Sequence, residues 1–327
     1  MTTTITSEQI KAEAASLGFF ACGIAQADAV EQSVVDSYRR WIAEGCNGSM
    51  AYLENYPDKR FDPRLLVPGV RSIVSVALNY APSRCMPSDA PQFASYALGK
   101  DYHDVVKQKL SQLAERLGLE LNDQVRAFCD SAPVLERYWA VRAGLGWIGR
   151  NHQLIIPRAG SMFFLGELFL PVEVEYDEPM HSRCGTCNRC VEACPTQALQ
   201  RNADGETCKF DGRLCLNYQT IENRGDIPEE LASKLAPYIY GCDRCQSACP
   251  WNRFAVPNTT PELQPSDELL AMKREDWLKL TEEEYRKLFK GSAVKRAKYA
   301  GLMRNIKDAL GWRSEERRVG KECRSRW

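Results

Sequence analysis

Two runs of cysteine constrain the fold of this chain more than any other feature of its sequence. The first run, CGTCNRCVEACP, separates its four cysteines by two, two and three residues and ends in proline. The second run, CDRCQSACP, has two and then three residues between its cysteines and ends in the same way. These seven residues are Cys184, Cys187, Cys190, Cys194, Cys242, Cys245 and Cys249. The surrounding segment is too poor in apolar residues for a conventional core, so bound metal is expected to hold it together.

This spacing is typical of bacterial ferredoxins, in which the last cysteine of each run ligates the cluster of the other run. We therefore predict two [4Fe-4S] clusters. The first would be held by Cys184, Cys187, Cys190 and Cys249. The second would take Cys194, Cys242 and Cys245, and its fourth ligand must be Cys208 or Cys215. Two zinc sites are the alternative, although zinc ligands usually come as CxxC pairs separated by a spacer.

The remaining composition indicates a folded chain without membrane segments. Its 327 residues, 44% of them hydrophobic and 26% charged, are enough for two or three domains and argue against wholesale disorder. Even the apolar stretch 161–172 contains Glu167 and Pro171, whereas a membrane span needs about 20 apolar residues. The N-terminus has neither the layout of a secretory signal nor a twin arginine. We expect a cytoplasmic protein that does not bind membranes.

The last fifteen residues, RSEERRVGKECRSRW, resemble the translation of a common sequencing-library adapter. We expect residues 313–327 to be an artefact fused to a truncated gene, the alternative being a natural basic tail. Without them the chain has 37 basic and 40 acidic residues and is slightly acidic. Any contact with nucleic acid would therefore need a local basic patch.

The sequence pattern predicts an α+β fold in three parts. An α/β-type domain covers residues 1–172, a ferredoxin-like cluster domain covers 173–254, and a helical, charged module covers 255–312. Within the first part we predict helices at 7–17, 30–43 and 101–117, a helix from Pro133, and strands at 72–80, near 125–130 and at 161–170.

Several longer stretches resemble the epoxyqueuosine reductase, or QueG, family over about residues 5–311. They are KRFDPR at 59–64, CDSAPVLERYWAVRAGLGWIGRNHQLI at 129–155, AGSMFFLGEL at 159–168, CLNYQTIE from Cys215, IPEEL at 227–231 and IYGCDRCQSACPWNR at 239–253. The resemblance makes Cys215 the fourth ligand of the second cluster and Cys208 a bystander. It also implies that the helical segment opens a HEAT-like module, which the adapter-like tail cuts short.

The resemblance implies a cytoplasmic oxidoreductase that catalyses the last step of queuosine synthesis. In that step the epoxide of epoxyqueuosine, at the wobble position of a tRNA anticodon, is reduced to an alkene. Cobalamin would perform the reduction with electrons delivered through the clusters from an external low-potential donor. None of the three histidines lies in a DxHxxG motif, so we expect a base-off cobalamin. We expect a monomer.

The same resemblance assigns roles to individual residues. Asp130, in FCDSAP, would be the proton donor, whereas spacing alone favours a cap for the helix predicted from Pro133. Cofactor contacts are expected in the GLGWIGRN loop and around it. The predicted cofactor-binding residues are Arg60, Asp130, Arg142, Gly144, Gly146, Trp147, Ile148, Ser161, Gly166, Asp243 and Arg244.

A basic run near the C-terminus is the predicted tRNA-binding surface. From Arg286 to Lys307 the chain has eight basic residues and no acidic one, a pattern that suits phosphate binding but also occurs on solvated helices. Within the run we single out Lys295, Arg296, Lys298 and Arg304.

Two other functions are compatible with the cysteine pattern. Respiratory reductive dehalogenases combine cobalamin with two clusters but carry a twin-arginine signal. A non-catalytic electron-transfer protein would contain iron and sulfide but no corrinoid, and an Asp130→Asn substitution would leave its behaviour unchanged.

Overall fold

The computed structural model describes residues 5–202 and 208–311, so the adapter-like segment 313–327 lies outside it. Its helices are α1 Ser7–Ser16, α2 Gln32–Ala43, α3 Pro57–Phe61, α4 Pro63–Leu66, α5 Tyr102–Arg116, α6 Glu136–Arg142, α7 Arg189–Glu192, α8 Leu216–Ile221, α9 Glu229–Ala232, α10 Arg244–Ser247, α11 Asp267–Ala271, α12 Arg274–Lys279, α13 Glu282–Leu288 and α14 Lys298–Ala309. Its strands are β1 Ala21–Gln26, β2 Ser72–Asn79, β3 Gln92–Phe93, β4 Arg126–Phe128, β5 Trp147–Ile148, β6 Leu154–Ile155, β7 Phe163–Leu170, β8 Leu199–Arg201, β9 Cys208–Phe210 and β10 Tyr238–Tyr240.

A four-stranded antiparallel sheet organises the N-terminal part, in the order β1-β2-β7-β4. Strand β2 is buried along almost its whole length, as its β-branched sequence SIVSVALN predicts for a central strand. Strand β7 lies between β2 and β4, so that Glu167 is opposite Ser75 on one side and Phe128 on the other. Residues directly opposite each other in a sheet project from the same face, so these three side chains share one surface.

Helices cover both faces of this sheet. One face packs against α1 and α5, whose apolar stripes include Ile10 and Leu110. Helix α5 comes so close to β7 that a Cβ atom on Gly166 would lie 2.6 Å from Cγ1 of Val106, which explains the glycine there. The other face packs against α6, where Trp139 shares a hydrophobic cluster with Phe128.

One predicted helix starts later than expected, and the difference shapes the loop that carries Asp130. The helix predicted from Pro133 begins at Glu136, after an N-cap residue, Leu135, whose side chain makes no capping bond. Residues 129–135 instead form a loop in which Asp130 has a φ of 51°, in the left-handed region. Asp130 therefore does not cap the helix as the alternative interpretation expected.

The cysteine-rich segment and the C-terminal helices pack against the N-terminal part. Strand β10 pairs in parallel with β3, which joins residues on both sides of the expected boundary near 172. Trp277 and Ile306 from the C-terminal helices share a hydrophobic cluster with Phe93 and Tyr240. The domain boundaries and the HEAT-like nature of the helices stay predictions. In the part of the chain that the structure covers, no helix is both long enough and apolar enough to span a bilayer.

Candidate active site

Four cysteines from the two runs line one cavity. Its walls are Cys184, Cys187, Cys190, Cys249, Arg150, Asn151, Ile155, Pro250 and Trp251. These are the four thiols that the sequence assigns to the first cluster. The Nδ2 donor of Asn151, which lines this cavity, is buried and has no hydrogen-bond partner among the residues that the structure describes. A donor and an arginine beside four thiols match the needs of an anionic iron–sulfur cluster, because hydrogen bonds to sulfur and positive charge stabilise it.

The predicted ligands of the second cluster also lie together. Cys245 interacts electrostatically with Cys215, Cys242 and Cys194, and least with Cys190 of the first group. The pKa of the Cys215 thiol is raised to about 11: burial is the largest cause, hydrogen bonds from backbone amides oppose it, and the nearby sulfurs of Cys242 and Cys194 add to it. Four crowded thiols can ionise together only when a cation binds them. Cys208 instead donates its hydrogen to the carbonyl oxygen of Gln200 at 3.0 Å, as expected for a bystander.

The arrangement of donors also bears on the zinc alternative. Within residues 5–202 and 208–311, no three Cys, His, Asp or Glu side chains are placed to hold a single metal ion. Zinc needs its ligands about 2.0–2.3 Å from one centre, whereas the thiolates around a cubane of four irons stand farther apart. In that part of the chain the cysteine sulfurs are not gathered around one point, as the ligands of a single zinc ion would be.

A β-hairpin connects the first cysteine cavity to the loop that carries Asp130. Strands β5 and β6 form the hairpin, which contributes Arg150, Asn151 and Ile155 to the cavity. Arg150 also donates to the carbonyl oxygen of Cys187. At the hairpin tip the carbonyl of His152 accepts a hydrogen bond from Arg137 of α6. The cavity and the start of α6 are thus joined by one short element.

A second connection reaches the Asp130 loop from the second cysteine run. Oδ2 of Asp243 accepts hydrogen bonds of 2.7 Å from both the backbone N–H and the hydroxyl of Ser95. Next in the chain, the Tyr96 ring meets the Tyr102 ring edge-on at 6.1 Å. Tyr102 in turn donates to Asp130 at 2.5 Å. Contacts from both cysteine groups therefore converge on Asp130.

Asp130 is exposed at the surface but held at two points. Its Oδ2 accepts the hydrogen bond from Tyr102, and its backbone N–H donates to Oε1 of Glu136. The Tyr102 ring is fixed by parallel stacking on Phe164, with centroids 4.2 Å apart. An exposed carboxyl on a left-handed backbone, held from two elements, is the arrangement expected of a group that must meet a substrate.

Two further acidic side chains, Glu136 and Glu167, interact electrostatically with Asp130. Glu167 is completely buried, and neither of its carboxyl oxygens has a hydrogen-bond partner among the described residues. Burial and the negative charge of Asp130 raise its pKa well above the usual value. Burial also raises the pKa of Glu136, with added repulsion from Asp130 and Glu167. Both effects favour the neutral acid.

The predicted glycine-loop residues sit in and beside the hairpin. Gly146 is required by its own partner strand, since a Cβ atom there would lie 2.1 Å from the carbonyl oxygen of Ile155. Gly144 approaches the carbonyl of Glu178 in the same way. Trp147 is buried, edge-on to Trp251, whereas the Ile148 side chain is 43% exposed. Of these, only Ile148 offers an exposed apolar side chain.

Two other predicted cofactor residues are engaged elsewhere. Arg60 is buried in α3, where it donates to the carbonyl oxygens of Tyr52 and Asn55. Arg142 bonds to Glu31 at the opposite end of α6 from the Asp130 loop. The structure does not bring either guanidinium to Asp130.

Three predicted residues connect the N-terminal part to the second cysteine run. Ser161 is buried and donates its backbone N–H to Asn252 at 2.7 Å. Arg244 donates to the carbonyls of Leu235 and Ala236 and lies 3.8 Å from the Cys242 sulfur. Asp243 is buried on Ser95, as described above.

The basic run has acid partners that lie outside it in sequence. Arg286 pairs with Glu282, Lys287 with Glu268 and Arg296 with Glu222, so these three side chains have acid partners although the run itself contains no acidic residue. The other three predicted tRNA-binding residues differ in their surroundings. Lys295 and Lys298 are exposed, whereas Arg304 donates to the carbonyl oxygens of Gln219, Asn223 and Gly225 and is structural.

Tyr52, which sequence reasoning missed, contacts this basic surface and lies within electrostatic range of Asp130. The Arg296 guanidinium lies 5.7 Å from the centre of its ring. Partial burial and the charges of Glu222 and Asp130 raise the pKa of Tyr52 to about 12, against the opposing effect of Arg296. Tyr102, Glu136 and Glu167 were missed as well. No local pattern marks Tyr102 and Glu167, and Glu136 lies unremarked within the block that carries Asp130.

Comparison with known proteins gives a consistent result. The family model described as epoxyqueuosine reductase QueG, DUF1730, matches residues 60–131, and a model for a 4Fe-4S double cluster binding domain matches residues 183–252. An epoxyqueuosine reductase of Cellulophaga algicola is 44% identical over 301 residues, covering 92% of this chain and 96% of that protein.

Two solved structures resemble the fold closely. One is an epoxyqueuosine reductase with an epoxyqueuosine-modified tRNA-Tyr stem loop, with a TM-score of 0.80 and 29% identity. The other, from Bacillus subtilis, has its aspartate catalytic loop swung out of the active site, with the same TM-score and identity. Each match covers 93% of this chain and 80% of the other.

Proposed function

The chain belongs to the epoxyqueuosine reductase family of oxidoreductases, and we propose that it reduces epoxyqueuosine to queuosine at the wobble position of a tRNA anticodon. The observation that carries this proposal is the position of Asp130. It lies exposed on a strained loop, held by Tyr102 and Glu136, where contacts from both cysteine groups meet. A solved relative has a catalytic loop named for an aspartate, and the Asp130 loop would be its counterpart here.

Two [4Fe-4S] clusters would be held by the eight cysteines in the two groups described above. The first group is Cys184, Cys187, Cys190 and Cys249, and the second is Cys194, Cys215, Cys242 and Cys245. An external low-potential donor would supply single electrons to them. The hairpin with Asn151 and the Asp243–Ser95 contact would place both clusters near one reaction site.

Cobalamin would bind at the surface beside Asp130. Two large hydrophobic side chains are exposed there, Ile148 on the hairpin held by Arg137 and Tyr52 within electrostatic range of Asp130. Exposed apolar side chains around a carboxyl group suit a flat macrocycle. Two histidines near this surface are engaged by other groups, since His103 contacts Asp101 and His152 contacts the Cys208 carbonyl, which agrees with a base-off cofactor.

The chain's own residues would position the substrate and move the protons. Bound cobalamin would supply a low-valent cobalt centre able to reduce the epoxide. Converting an epoxide to an alkene adds two electrons and two protons and releases the oxygen as water. Asp130 would give a proton to the departing oxygen, and Tyr102 would fix the carboxyl in position for it.

The tRNA would bind across the surface that contains Lys295, Lys298 and Arg296. Arg296 contacts Tyr52, which lies within electrostatic range of Asp130. Lysines would bind phosphates, and the exposed Tyr52 ring would be available for stacking on a base of the anticodon loop. A solved relative carries a modified tRNA stem loop, which supports the same partner here. We expect the protein to act as a monomer in the cytoplasm.

An anaerobic turnover assay tests this function. The protein, reconstituted with iron, sulfide and cobalamin, is given a strong one-electron reductant and tRNA carrying epoxyqueuosine. Nucleoside mass spectrometry should detect queuosine only when cobalamin, clusters and reductant are all present. No queuosine from protein that binds tRNA, corrinoid and eight irons would contradict the proposal, and turnover of a halogenated aromatic instead would favour the dehalogenase alternative.

A further inference from the structure

The turn of the β5–β6 hairpin holds a side-chain amide whose donor has no partner. Asn151 is 4% exposed, and its Nδ2 makes no hydrogen bond among the residues that the structure describes. An unpaired buried donor costs about 1–3 kcal/mol, so this one is expected to have an acceptor in the working protein. The side chain lines the cavity of the first cysteine group, together with Cys184, Cys187, Cys190 and Cys249.

The orientation of this amide is set by its other end. Oδ1 of Asn151 accepts a hydrogen bond from the backbone N–H of Gln153 at 3.3 Å, which distinguishes the oxygen from the nitrogen. Gly149 leaves room for the amide, because a Cβ atom there would lie 2.8 Å from Oδ1. The turn therefore holds Oδ1 against its own backbone and leaves Nδ2 as the end that can donate to another group.

The same hairpin carries a second donor of this kind. Trp147 is 2% exposed, and its Nε1 also lacks a hydrogen-bond partner in the described part of the chain. Its ring packs in a hydrophobic cluster with Cys184 and Cys249, two predicted ligands of the first iron–sulfur cluster. Arg150 is buried as well and donates to the carbonyl oxygen of Cys187. One short element thus brings two N–H donors and a guanidinium to the first cysteine group.

We propose that Asn151 and Trp147 donate hydrogen bonds to sulfur atoms of the first iron–sulfur cluster and so raise its reduction potential. A [4Fe-4S] cluster held by four thiolates is an anion, and gaining an electron makes it more negative. Hydrogen bonds to its sulfurs therefore stabilise the reduced form more than the oxidised form. The inference rests on the cluster assignment within the proposed function, but not on the identity of the substrate. It gives the hairpin a role in setting how readily the first cluster accepts an electron.

Redox titration of the reconstituted protein, followed by electron paramagnetic resonance, tests this role without turnover. Asn151→Leu keeps the volume of the side chain but removes its donor, and Trp147→Phe removes the indole N–H. We expect each variant to lower one of the two cluster midpoint potentials and to leave the other unchanged. In Asn151→Leu the ratio of reduced to oxidised first cluster at a fixed potential should fall by about tenfold, which is about 59 mV for a one-electron couple. The midpoint that moves must be the one that persists in Cys215→Ser, which should retain only the first cluster.

Two control variants match these changes. Asn55→Leu alters an exposed asparagine, and Trp277→Phe alters another buried indole without a described partner, which packs among the C-terminal helices. Both should keep the wild-type midpoint potentials. If Asn151→Leu does not assemble the first cluster, Trp147→Phe carries the test.

Two kinds of failure are distinguishable in this experiment. Unchanged midpoint potentials in Asn151→Leu and Trp147→Phe, with eight irons bound, would overturn the inference, as would an equal shift in the control variants. A wild type that binds no iron would overturn the cluster assignment and the inference with it. Absence of queuosine from protein whose midpoint potentials shift as expected would contradict the proposed function alone.

Discussion

The Tyr102 hydroxyl, on the first residue of α5, donates a 2.5 Å hydrogen bond to Oδ2 of Asp130. Tyr102 is itself fixed by stacking on Phe164 from β7. The loop carboxyl is therefore positioned by the central sheet, although the loop itself is exposed. This contact defines the orientation in which Asp130 would meet the substrate.

Replacing Tyr102 by phenylalanine should lower single-turnover activity more than stability. A hydrogen bond contributes about 0.5–1.5 kcal/mol, so a rate decrease of about twofold to tenfold is expected for this exposed pair. The ring and its stacking remain, and the melting temperature should change little. Tyr176→Phe removes a hydroxyl bonded to the Arg71 carbonyl and is the control. Equal rates for both variants would show that Tyr102 does not position Asp130.

Serine substitutions should separate a ligand from a bystander among the two cysteines that the sequence left open. Cys215 lies among the sulfurs of Cys194 and Cys242, whereas the Cys208 thiol bonds to the Gln200 carbonyl. Cys215→Ser should lose roughly half of the bound iron and sulfide, since one cluster of two is affected. The Cys208→Ser variant should retain both clusters. If iron analysis and electron paramagnetic resonance showed that Cys208→Ser loses a cluster and Cys215→Ser does not, Cys208 would be the ligand and Cys215 the bystander.

His152 should stay neutral well below the usual histidine range. Burial, together with the positive charge of Arg137, lowers its pKa from 6.5 to about 4. Its Nε2 lies 2.8 Å from the Cys208 carbonyl, which can only accept, so Nε2 carries the proton. In NMR titrations the resonance that disappears in His152→Gln should shift near pH 4. A titration midpoint near 6.5 would show that burial and Arg137 do not lower the pKa of His152.

The same lowered pKa has a consequence for stability. Between pH 6.5 and 4 the unfolded chain binds a proton at His152 that the folded chain does not. The free energy of unfolding should therefore fall as the pH falls through this window, by up to about 3 kcal/mol from this residue. His152→Gln should remove that part of the decrease. An identical pH dependence of stability in the wild type and the His152→Gln variant would show that His152 does not make this contribution.

The exposed lysines should bind tRNA, whereas Arg304 should stabilise the fold. Lys295→Gln combined with Lys298→Gln should weaken tRNA binding and reduce the salt dependence by about one unit of slope per lost phosphate contact, without changing the melting temperature. Arg304→Gln should lower the melting temperature, because three backbone carbonyls lose their donor. Arg71→Gln, which breaks an exposed pair with Glu173, is the control. Unchanged tRNA affinity in the double variant would exclude this surface.

The sequence predicted functional residues where those that act together lie close to one another along the chain. The cluster cysteines lie in short runs whose spacing encodes ligation, and Asp130 lies in a distinctive block. The residues around Asp130 come from separate elements, since Tyr102 is 28 positions away. Glu167 is brought near the Asp130 loop by strand pairing with Phe128, two residues before Asp130. No periodicity in a single segment reveals such contacts.

The basic run illustrates the same limit. Counting charges between Arg286 and Lys307 found no acidic residue, yet Glu222, 74 positions before Arg296, pairs with it in the fold. The start of α6 was also misplaced, because Pro133 favours a first helical turn in general but here belongs to the loop that ends at Leu135.

The central claim is that Asp130 supplies a proton in epoxide reduction, and single-turnover kinetics of Asp130→Asn test it most directly. Wild type and variant, loaded with clusters and cobalamin and reduced under anaerobic conditions, are mixed with tRNA carrying epoxyqueuosine, and queuosine is measured by nucleoside mass spectrometry. The rate should fall by about a hundredfold or more, with iron content, corrinoid binding and tRNA affinity unchanged. A rate within twofold of the wild type would contradict the account.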